Sequence, residues 1–359
     1  LWCIGPSPDD ADMLTYLPEQ HLLHAPTHEF FRGALVPCHE TPSRLNSVQA
    51  ALQASGRHRL LAPELDSRAL LARVHTPRYL HFLEHAWDQW LALDPANAGR
   101  QPWPSTWPVR SLRADREPRE FSARLGLFSF DSGTPLSSGT WAAAKAGADA
   151  ACSAARVLLS GRERAVFSAS RPPGHHAGAD FMGGYCFLNN AALAAQALLD
   201  GGCARVALLD VDYHHGNGSQ SLFEARADVL YVSLHGDPAT EYPFFLGHAD
   251  ETGVGEGAGY TLNLPMPAGT DAATWFAALE TACARVLEVG AEALVVSLGL
   301  DAYEGDPISR FGLRTADFGR LGARLSGLGL PTLFVLEGGY ATAQLGRNAL
   351  AVLDGFEGP

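Results

Sequence analysis

From about Ser168 onward, short apolar runs alternate with longer stretches rich in Ala and Leu. Val166–Ser170, Arg205–Asp212, Val229–His235, Leu294–Gly299 and Thr332–Leu336 are β-branched or apolar almost throughout. Runs of that length and character predict strands buried on both faces. Around and between them, Trp141–Ser160, Asn190–Asp200, Ala272–Val289 and Thr315–Leu325 predict helices. The alternation predicts an α/β fold with a doubly wound, mainly parallel sheet. The N-terminal part fits the same plan, with strands at Met13–Leu17 and Leu60–Ala62. Helices are expected at Ser43–Ala54 and Pro77–Trp90, each opened by Pro or Thr-Pro.

One segment has no period. Residues 94–134 read "DPANAGRQPWPSTWPVRSLRADREPREFSARLGLFSFDSGT", rich in Pro and Arg and carrying Trp103 and Trp107. A loop this long is functional, interfacial or disordered, and its aromatics argue against plain disorder. The chain is expected to form one domain over 13–358 with this segment as an insertion. Residues 1–12 are set aside as an extension. The opening "LWCIGPSPDDADMLTYLP" has no basic region before an apolar one, so no secretory signal is read there.

The 359 residues are 47% hydrophobic, enough for a large core, yet no run of ~18 uncharged apolar residues predicts a membrane span. The net charge of −13 disfavours nucleic acid and favours small cationic partners. Cys3, Cys38, Cys152, Cys186, Cys203 and Cys283 are scattered without a C-x-x-C pair. Neither a disulfide framework nor a structural zinc finger is expected, and a cytoplasmic location fits best.

In open α/β sheets, ligands sit at the carboxyl ends of the strands. Four expected strands end in chemistry there. One runs into "RPPGHHAGADFMGGYC", with His175 and His176. The second ends in "LLDVDYHHGNG", with Asp210, Asp212 and His214. The third reads "VVSLGLDAYEGDP", with Asp301 and Asp306. The last reads "LEGGY", with Tyr340. Residues two apart in a strand share a face, so Asp212 and His214 are expected to reach one cation together. With Asp301 they make three ligands and an open position, the pattern of catalytic zinc. The competing reading is an Asp–His hydrogen-bond network that caps the strand ends. His175 and His176 suit acid–base work, with Asp210 free to hold one of them. A surface His pair is the alternative. Tyr340, after two glycines, suits donation to an oxyanion, or is a core tyrosine. Phe181, Tyr185 and Tyr242 either line an apolar slot or belong to the core.

The stretches "RPPGHHAG…GGYCFLNNAA", "DVDYHHGNGSQ", "LGLDAYEGDP" and "EGGY" resemble the zinc-dependent histone deacetylase superfamily. "HGDPATEYPFFLGHADETGVGEGAG" narrows the resemblance to bacterial acetylpolyamine amidohydrolases. The resemblance runs from about Met13 to Gly358. It implies the arginase/deacetylase fold, with helices on both faces of the sheet, and hydrolysis of an acetylated amine, an acetylpolyamine or an acyl-lysine-like small substrate. It also implies Zn2+ on Asp212, His214 and Asp301, His176 as general base paired with Asn217, and His175 as its electrostatic partner on Asp210. Tyr340 would hold the oxyanion. Tyr185 and Tyr242 would form the slot, with Gly184 and Ile308 nearby. K+ is implied at the backbone of Asp210, Asp212 and His214 with Ser233 and Leu234. A second K+ site would use Phe223, Arg226, Val229 and Tyr260. The 94–134 insertion would build a homodimer and narrow the slot. Three positions depart from the family. Gly133 stands where an acid facing the substrate's far ammonium is usual, with Asp131 near it. Ser122 replaces a second acid, and His39 replaces an aromatic before Glu40. Two alternatives share the fold, an arginase-like dimanganese ureohydrolase and an inactive acyl-amine sensor. The first is disfavoured by Asp-x-Asp-x-His at 210–214 and by Tyr303, the second by the complete catalytic set.

Overall fold

The computed structural model describes residues 13–109 and 111–358, so the expected 1–12 extension lies outside the described residues. The strands are β1 (Met13–Tyr16), β2 (His28–Phe31), β3 (Ala34–Pro37), β4 (His58–Leu61), β5 (Ala165–Ser168), β6 (Val206–Asp210), β7 (Val229–Gly236), β8 (Thr261–Met266), β9 (Ala293–Leu298) and β10 (Thr332–Leu336). Eight of them form one sheet in the order β4-β1-β5-β10-β9-β6-β7-β8. Every pairing in that sheet is parallel. β2 and β3 form a separate antiparallel hairpin.

The apolar runs are continuous because successive residues enter two different cores. Ala207 and Leu209 of β6 pack on one side, Val206 and Leu208 on the other. β9 and β10 divide in the same way, with Val296 and Phe334 on the first side and Val295 and Leu333 on the second. Helices Pro42–Ser55, Ala272–Glu288, Thr315–Ser326 and Thr342–Glu357 cover the first side through Val48, Trp275, Leu321 and Val352. Helices Pro77–Leu93, Thr140–Leu159 and Asn190–Asp200 cover the second through Phe82, Ala151 and Leu193. The doubly wound α/β layout is the one expected from the alternation. Thr140–Leu159 approaches closely because its inner face is almost all alanine.

The differences lie at the margins. β8 escapes sequence reading because it is an edge strand, only half-buried and carrying Pro265, which an edge tolerates. The hairpin is mostly exposed and shows no apolar alternation. Helices Arg68–Val74, Phe121–Leu127, Asn217–Phe223 and Thr342–Glu357 add to the expected set. Phe121–Leu127 lies inside the 94–134 segment, capped by Glu120, whose carboxylate accepts from Ala123 N at 2.7 Å. The same segment lies on the hairpin. Trp103 meets Phe30 edge-on at 4.9 Å, and Gln101 Nε2 donates to His28 O at 3.0 Å.

Parallel strands share one carboxyl edge, and β5, β10, β9 and β6 are consecutive neighbours. The four chemical strand ends, scattered over residues 170–340 of the chain, therefore stand side by side.

Candidate active site

β6 stops at Asp210, not at Asp212 as the apolar run predicts. Asp210 Oδ1 accepts from Asp212 N at 3.2 Å, and Asp212 Oδ1 accepts from His214 N at 2.9 Å. These side chains take the backbone donors that a continuing ladder would need, so the chain turns. Asp212 and His214 do converge, but through two successive side-chain turns and not by sharing a strand face.

Asp212 Oδ2 is held by Gly338 N at 2.8 Å, and Asp301 Oδ1 by Tyr213 N at 2.8 Å. That leaves Asp212 Oδ1 and Asp301 Oδ2 facing His214 Nδ1 at 3.3 and 2.9 Å. The donor atoms of these three residues lie within 4.8 Å of one another. Two glycines leave room for the carboxylates. A Cβ on Gly299 would sit 2.1 Å from Asp212 Oδ2, and one on Gly338 2.5 Å from the same atom. The electrostatics demand a cation. Burial and the Asp212 charge push Asp301 up to about 7. Burial works against a charged His214, yet its bonds to Asp212 and Asp301 raise it to about 10. The two carboxylates thus favour a positive charge between them. A divalent ion meets the same demand, and two carboxylates with one imidazole are a fitting donor set for zinc.

The loop after β5 carries the two other imidazoles. Arg171, fully buried, anchors it by donating to both oxygens of Glu40 at 2.7 and 2.8 Å and to His24 O at 2.8 Å. Glu337 Oε2 accepts from Gly174 N and His175 N at 2.6 and 3.1 Å. His175 Nδ1 donates to Asp210 Oδ2 at 3.0 Å, and His176 Nδ1 to Asn217 Oδ1 at 2.7 Å. The rings are 4.0 Å apart but titrate oppositely. Burial disfavours the charged form of both, but Asp210 and Asp212 overcome it at His175 and raise that group to about 10. His176 goes well down, through burial and through the charges of His175 and His214. His176 is therefore the neutral imidazole, and its bond to Asn217 leaves Nε2 with the free lone pair.

Tyr340 is nearly buried and stands beside Tyr185, ring centroids 5.5 Å apart. Arg44 lies over its ring at 4.8 Å, and its N–H donates to Asp306 Oδ2 at 2.7 Å. Ile308 sits on the same Asp306 turn, donating its N–H to Oδ1 at 3.0 Å. Tyr242 meets the His176 ring edge-on at 5.1 Å. Gly184 has φ +53, and a Cβ there would strike His176 Cδ2 at 2.1 Å, so this turn requires glycine. Ser233 pairs with Asp210 in register, next to Leu234 on β7. Phe223, Arg226, Val229 and Tyr260 stand apart from the cluster, around the start of β7. There Arg226 N donates to Phe223 O and Tyr231 N to Tyr260 O, both at 2.9 Å.

Several functional groups lie outside the expected set. Glu40 and Arg44 join Arg171 in one buried ion network. Arg44 also donates to Gly339 O and Glu337 O, both at 2.6 Å, fixing the turn that carries Tyr340. Glu29, from the hairpin, accepts from the Tyr185 hydroxyl at 3.0 Å and pairs with His39 Nδ1 at 2.7 Å. Asp131 faces inward onto Tyr242 and Gly184, while Gly133 donates its N–H to Asp131. Ser122 is bonded to Glu120 on the short insertion helix. Glu40, Arg171 and Glu337 show in the sequence as charges inside the motifs "PCHE", "RPPG" and "LEGGY", whereas Glu29 and Arg44 lie outside every motif.

Comparison with known proteins agrees with this geometry. The histone deacetylase domain family matches residues 38–356. Acetylpolyamine amidohydrolase 2 of Pseudomonas aeruginosa is 50% identical over 96% of this chain and 99% of its own length. Acetylpolyamine amidohydrolase of Mycoplana ramosa is 44% identical over 96% of this chain and 100% of its own. The crystal structure of acetylpolyamine aminohydrolase from Burkholderia pseudomallei superposes with a TM-score of 0.90 at 41% identity, covering 96% of this chain and 98% of that one. The sheet is thus that of the arginase/deacetylase fold, and the chain belongs to the histone deacetylase family.

Proposed function

We propose that this protein is a zinc-dependent amidohydrolase that removes acetyl from small, slender amines, acetylated polyamines first among them. The chain is an enzyme acting on the amides of acetylated amines, as its family and its relatives support. The observation that carries the zinc reading is the convergence of Asp212, His214 and Asp301 beside a neutral His176 and the Tyr340 phenol. Zinc bound there supplies a Lewis acid and lowers the pKa of water.

The chain's own groups supply the rest. His176 Nε2 takes the proton from water as its oxygen adds to the acetyl carbon. Tyr340 donates its hydroxyl to the carbonyl oxygen as charge develops there. His175, held cationic by Asp210, stabilises the negative charge gathering beside it. His176 then gives its proton to the amine nitrogen as the C–N bond breaks, leaving acetate and a free amine. Tyr185 and Tyr242 flank the amine chain, with Gly184 on the Tyr185 turn and Ile308 on the Asp306 turn beside Tyr340.

A dimanganese ureohydrolase needs more free carboxylates around this edge. Asp210 is committed to His175 and Tyr231, and Asp306 to three backbone N–H groups. For potassium, the support is that Asp210 pairs in register with Ser233 on the adjacent strand, with Leu234 next to it. The Phe223, Arg226, Val229 and Tyr260 set is the second potassium site by family pattern. A homodimer through residues 94–134 is supported by the exposed Val109 and Leu112 on that segment. A cytoplasmic location is supported by free cysteines at 38, 152, 186, 203 and 283. No helix among the described residues is long and apolar enough to cross a membrane.

The test is metal content by mass spectrometry together with amine release from acetylputrescine, for the wild type and Asp301→Ala. One zinc per chain and turnover, both lost in the variant, are expected. Turnover that persists in metal-free Asp301→Ala would overturn the reading.

A further inference from the structure

Tyr242 makes a hydrogen bond that the chemistry above does not use. Its hydroxyl donates to Asp131 Oδ2 at 2.7 Å, and Gly184 N donates to the same oxygen at 2.8 Å. Tyr242 belongs to the loop after β7, and Gly184 and Tyr185 to the loop after β5. One carboxylate oxygen thus ties together the two loops that carry the slot tyrosines. The other oxygen accepts from Gly133 N at 3.1 Å.

The segment around Asp131 is itself splinted to one of those loops. Phe130 N donates to Met182 O at 3.0 Å, and Met182 N to Phe128 O at 2.8 Å. Thr134 Oγ1 accepts from Tyr185 N at 3.0 Å. The Phe130 ring stacks on the Tyr242 ring, centroids 5.8 Å apart at 27°. Consecutive residues therefore grip Tyr242 twice, Phe130 by its face and Asp131 by its hydroxyl.

We propose that Asp131 is a specificity-determining positioning residue: its carboxylate fixes the gap between the Tyr242 ring and the Gly184–Tyr185 turn, and so selects unbranched amine chains over branched ones. The proposal rests on the amidohydrolase reading above and adds a residue and a substrate feature to it. A carboxylate is required and not merely a polar group. Tyr242, Gly184 and Gly133 all donate to Asp131, and an amide of the same shape would turn its NH2 against one of them. With the tie cut, Tyr242 keeps its ring stacking but loses the restraint on its far end, and the slot tolerates a wider chain.

The experiment uses Asp131→Asn, Tyr242→Phe and the double variant of the full chain. kcat and KM are measured on monoacetyl-1,4-diaminobutane and on the same amide with a methyl branch on the carbon bearing the acylated nitrogen. A methyl group against a shaped pocket is worth about 10–200-fold, so the wild type is expected to prefer the unbranched amide by about tenfold or more. Each single variant should cut that preference about fivefold or more. The double variant should go no further than the stronger single one, because both act through the Asp131–Tyr242 tie. Tyr242→Phe retains the ring and tests the idea even if Asp131→Asn folds poorly. Equal losses on both amides with the preference intact would mean a purely structural role and overturn the proposal. Multiplying effects in the double variant would also overturn it. A wild type that hydrolyses neither amide would instead sink the amidohydrolase reading, and this proposal with it.

Discussion

Tyr340→Phe is the sharpest single test of the chemistry. The substitution removes one oxygen and leaves the ring. That ring is positioned without the hydroxyl, by Arg44 4.8 Å above it, by the edge of Tyr185, and by the Tyr340 N–H on Asp306. The backbone turn beneath it is held separately, by Arg44 on the carbonyls of Glu337 and Gly339. The fold and the metal ligands should therefore not register the change, and the melting temperature should stay within about 2 °C, as for a change that leaves packing intact. Burial pushes the phenol well above its ordinary value, so it remains an O–H donor throughout the working pH range. Losing one such donor to a developing oxyanion costs about 2.7–4 kcal/mol, a factor of about 10²–10³ in kcat. KM should hardly move, since the bond strengthens only as charge appears. The assay is initial-rate amine release from acetylputrescine, with zinc content and a thermal melt on the same sample. A kcat within threefold of wild type, at full zinc occupancy, would refute the assigned role.

Three further outcomes are expected. Asn217→Asp places a carboxylate on His176, which should raise that imidazole by about one pH unit or more and carry the acid limb of kcat upward with it; an unmoved pH profile would show that His176 is not the base. Glu40→Gln leaves Arg44 and Arg171 buried without their shared counterion and should cost about 3–5 kcal/mol in a denaturant melt. Burial alone would raise the Glu40 carboxyl, but Arg171 and Arg44 outweigh it and hold the group below its ordinary value. Its contribution is then complete above pH ~4.3 and lost as pH falls through the lower folded value, so the variant should flatten the acid limb of stability, and an unchanged limb would refute the linkage. Val109→Asp with Leu112→Asp should yield monomers by light scattering, and persistent dimers would remove residues 94–134 from the interface.

What the sequence displays depends on where a residue sits in the sheet. β6, β9 and β10 are apolar on both faces because both faces carry cores, and their runs stand out unaided. β8 is an edge, half-buried with a proline, and falls below the same threshold. The site residues stand out for a related reason. Asp210, Asp212, His214, Asp301 and Tyr340 follow apolar strands within a few positions, so their polarity is conspicuous. The path they take is not. Asp212 and His214 were expected on a strand, whereas their own side chains capture the backbone donors and end it. Glu40 and Arg171 are 131 residues apart, and Arg44 reaches carbonyls 293 and 295 residues away. No local pattern marks such partners, since only the folded sheet brings them together. Asp131 is noticed only as an acid near Gly133, and its segment has no period that would point to its partners Tyr242 and Gly184.

The pairing of the two histidines explains how adjacent rings keep one imidazole charged and the other neutral. Their rings are 4.0 Å apart and share the same burial, so position alone cannot separate them. Their partners do. Asp210 is a carboxylate with nothing else to neutralise it, and it holds His175 as a cation. Asn217 offers the same short acceptor geometry without charge, so it orients His176 but does not protonate it. The cation next door then works in the same direction, because a charged His175 makes a second proton on His176 costly. Exchanging the two partners would place the proton on the wrong ring. The charge count closes in the same way: Asp210 is balanced by His175, and Asp212 with Asp301 leave two negative charges for one divalent ion. Asp212, Asp301 and Asp210 each have a second contact, from Gly338 N, Tyr213 N and the Tyr231 hydroxyl, and Glu337 holds the backbone N–H groups of Gly174 and His175. The proposed site is therefore preorganised by the chain itself, its charges and hydrogen bonds already set.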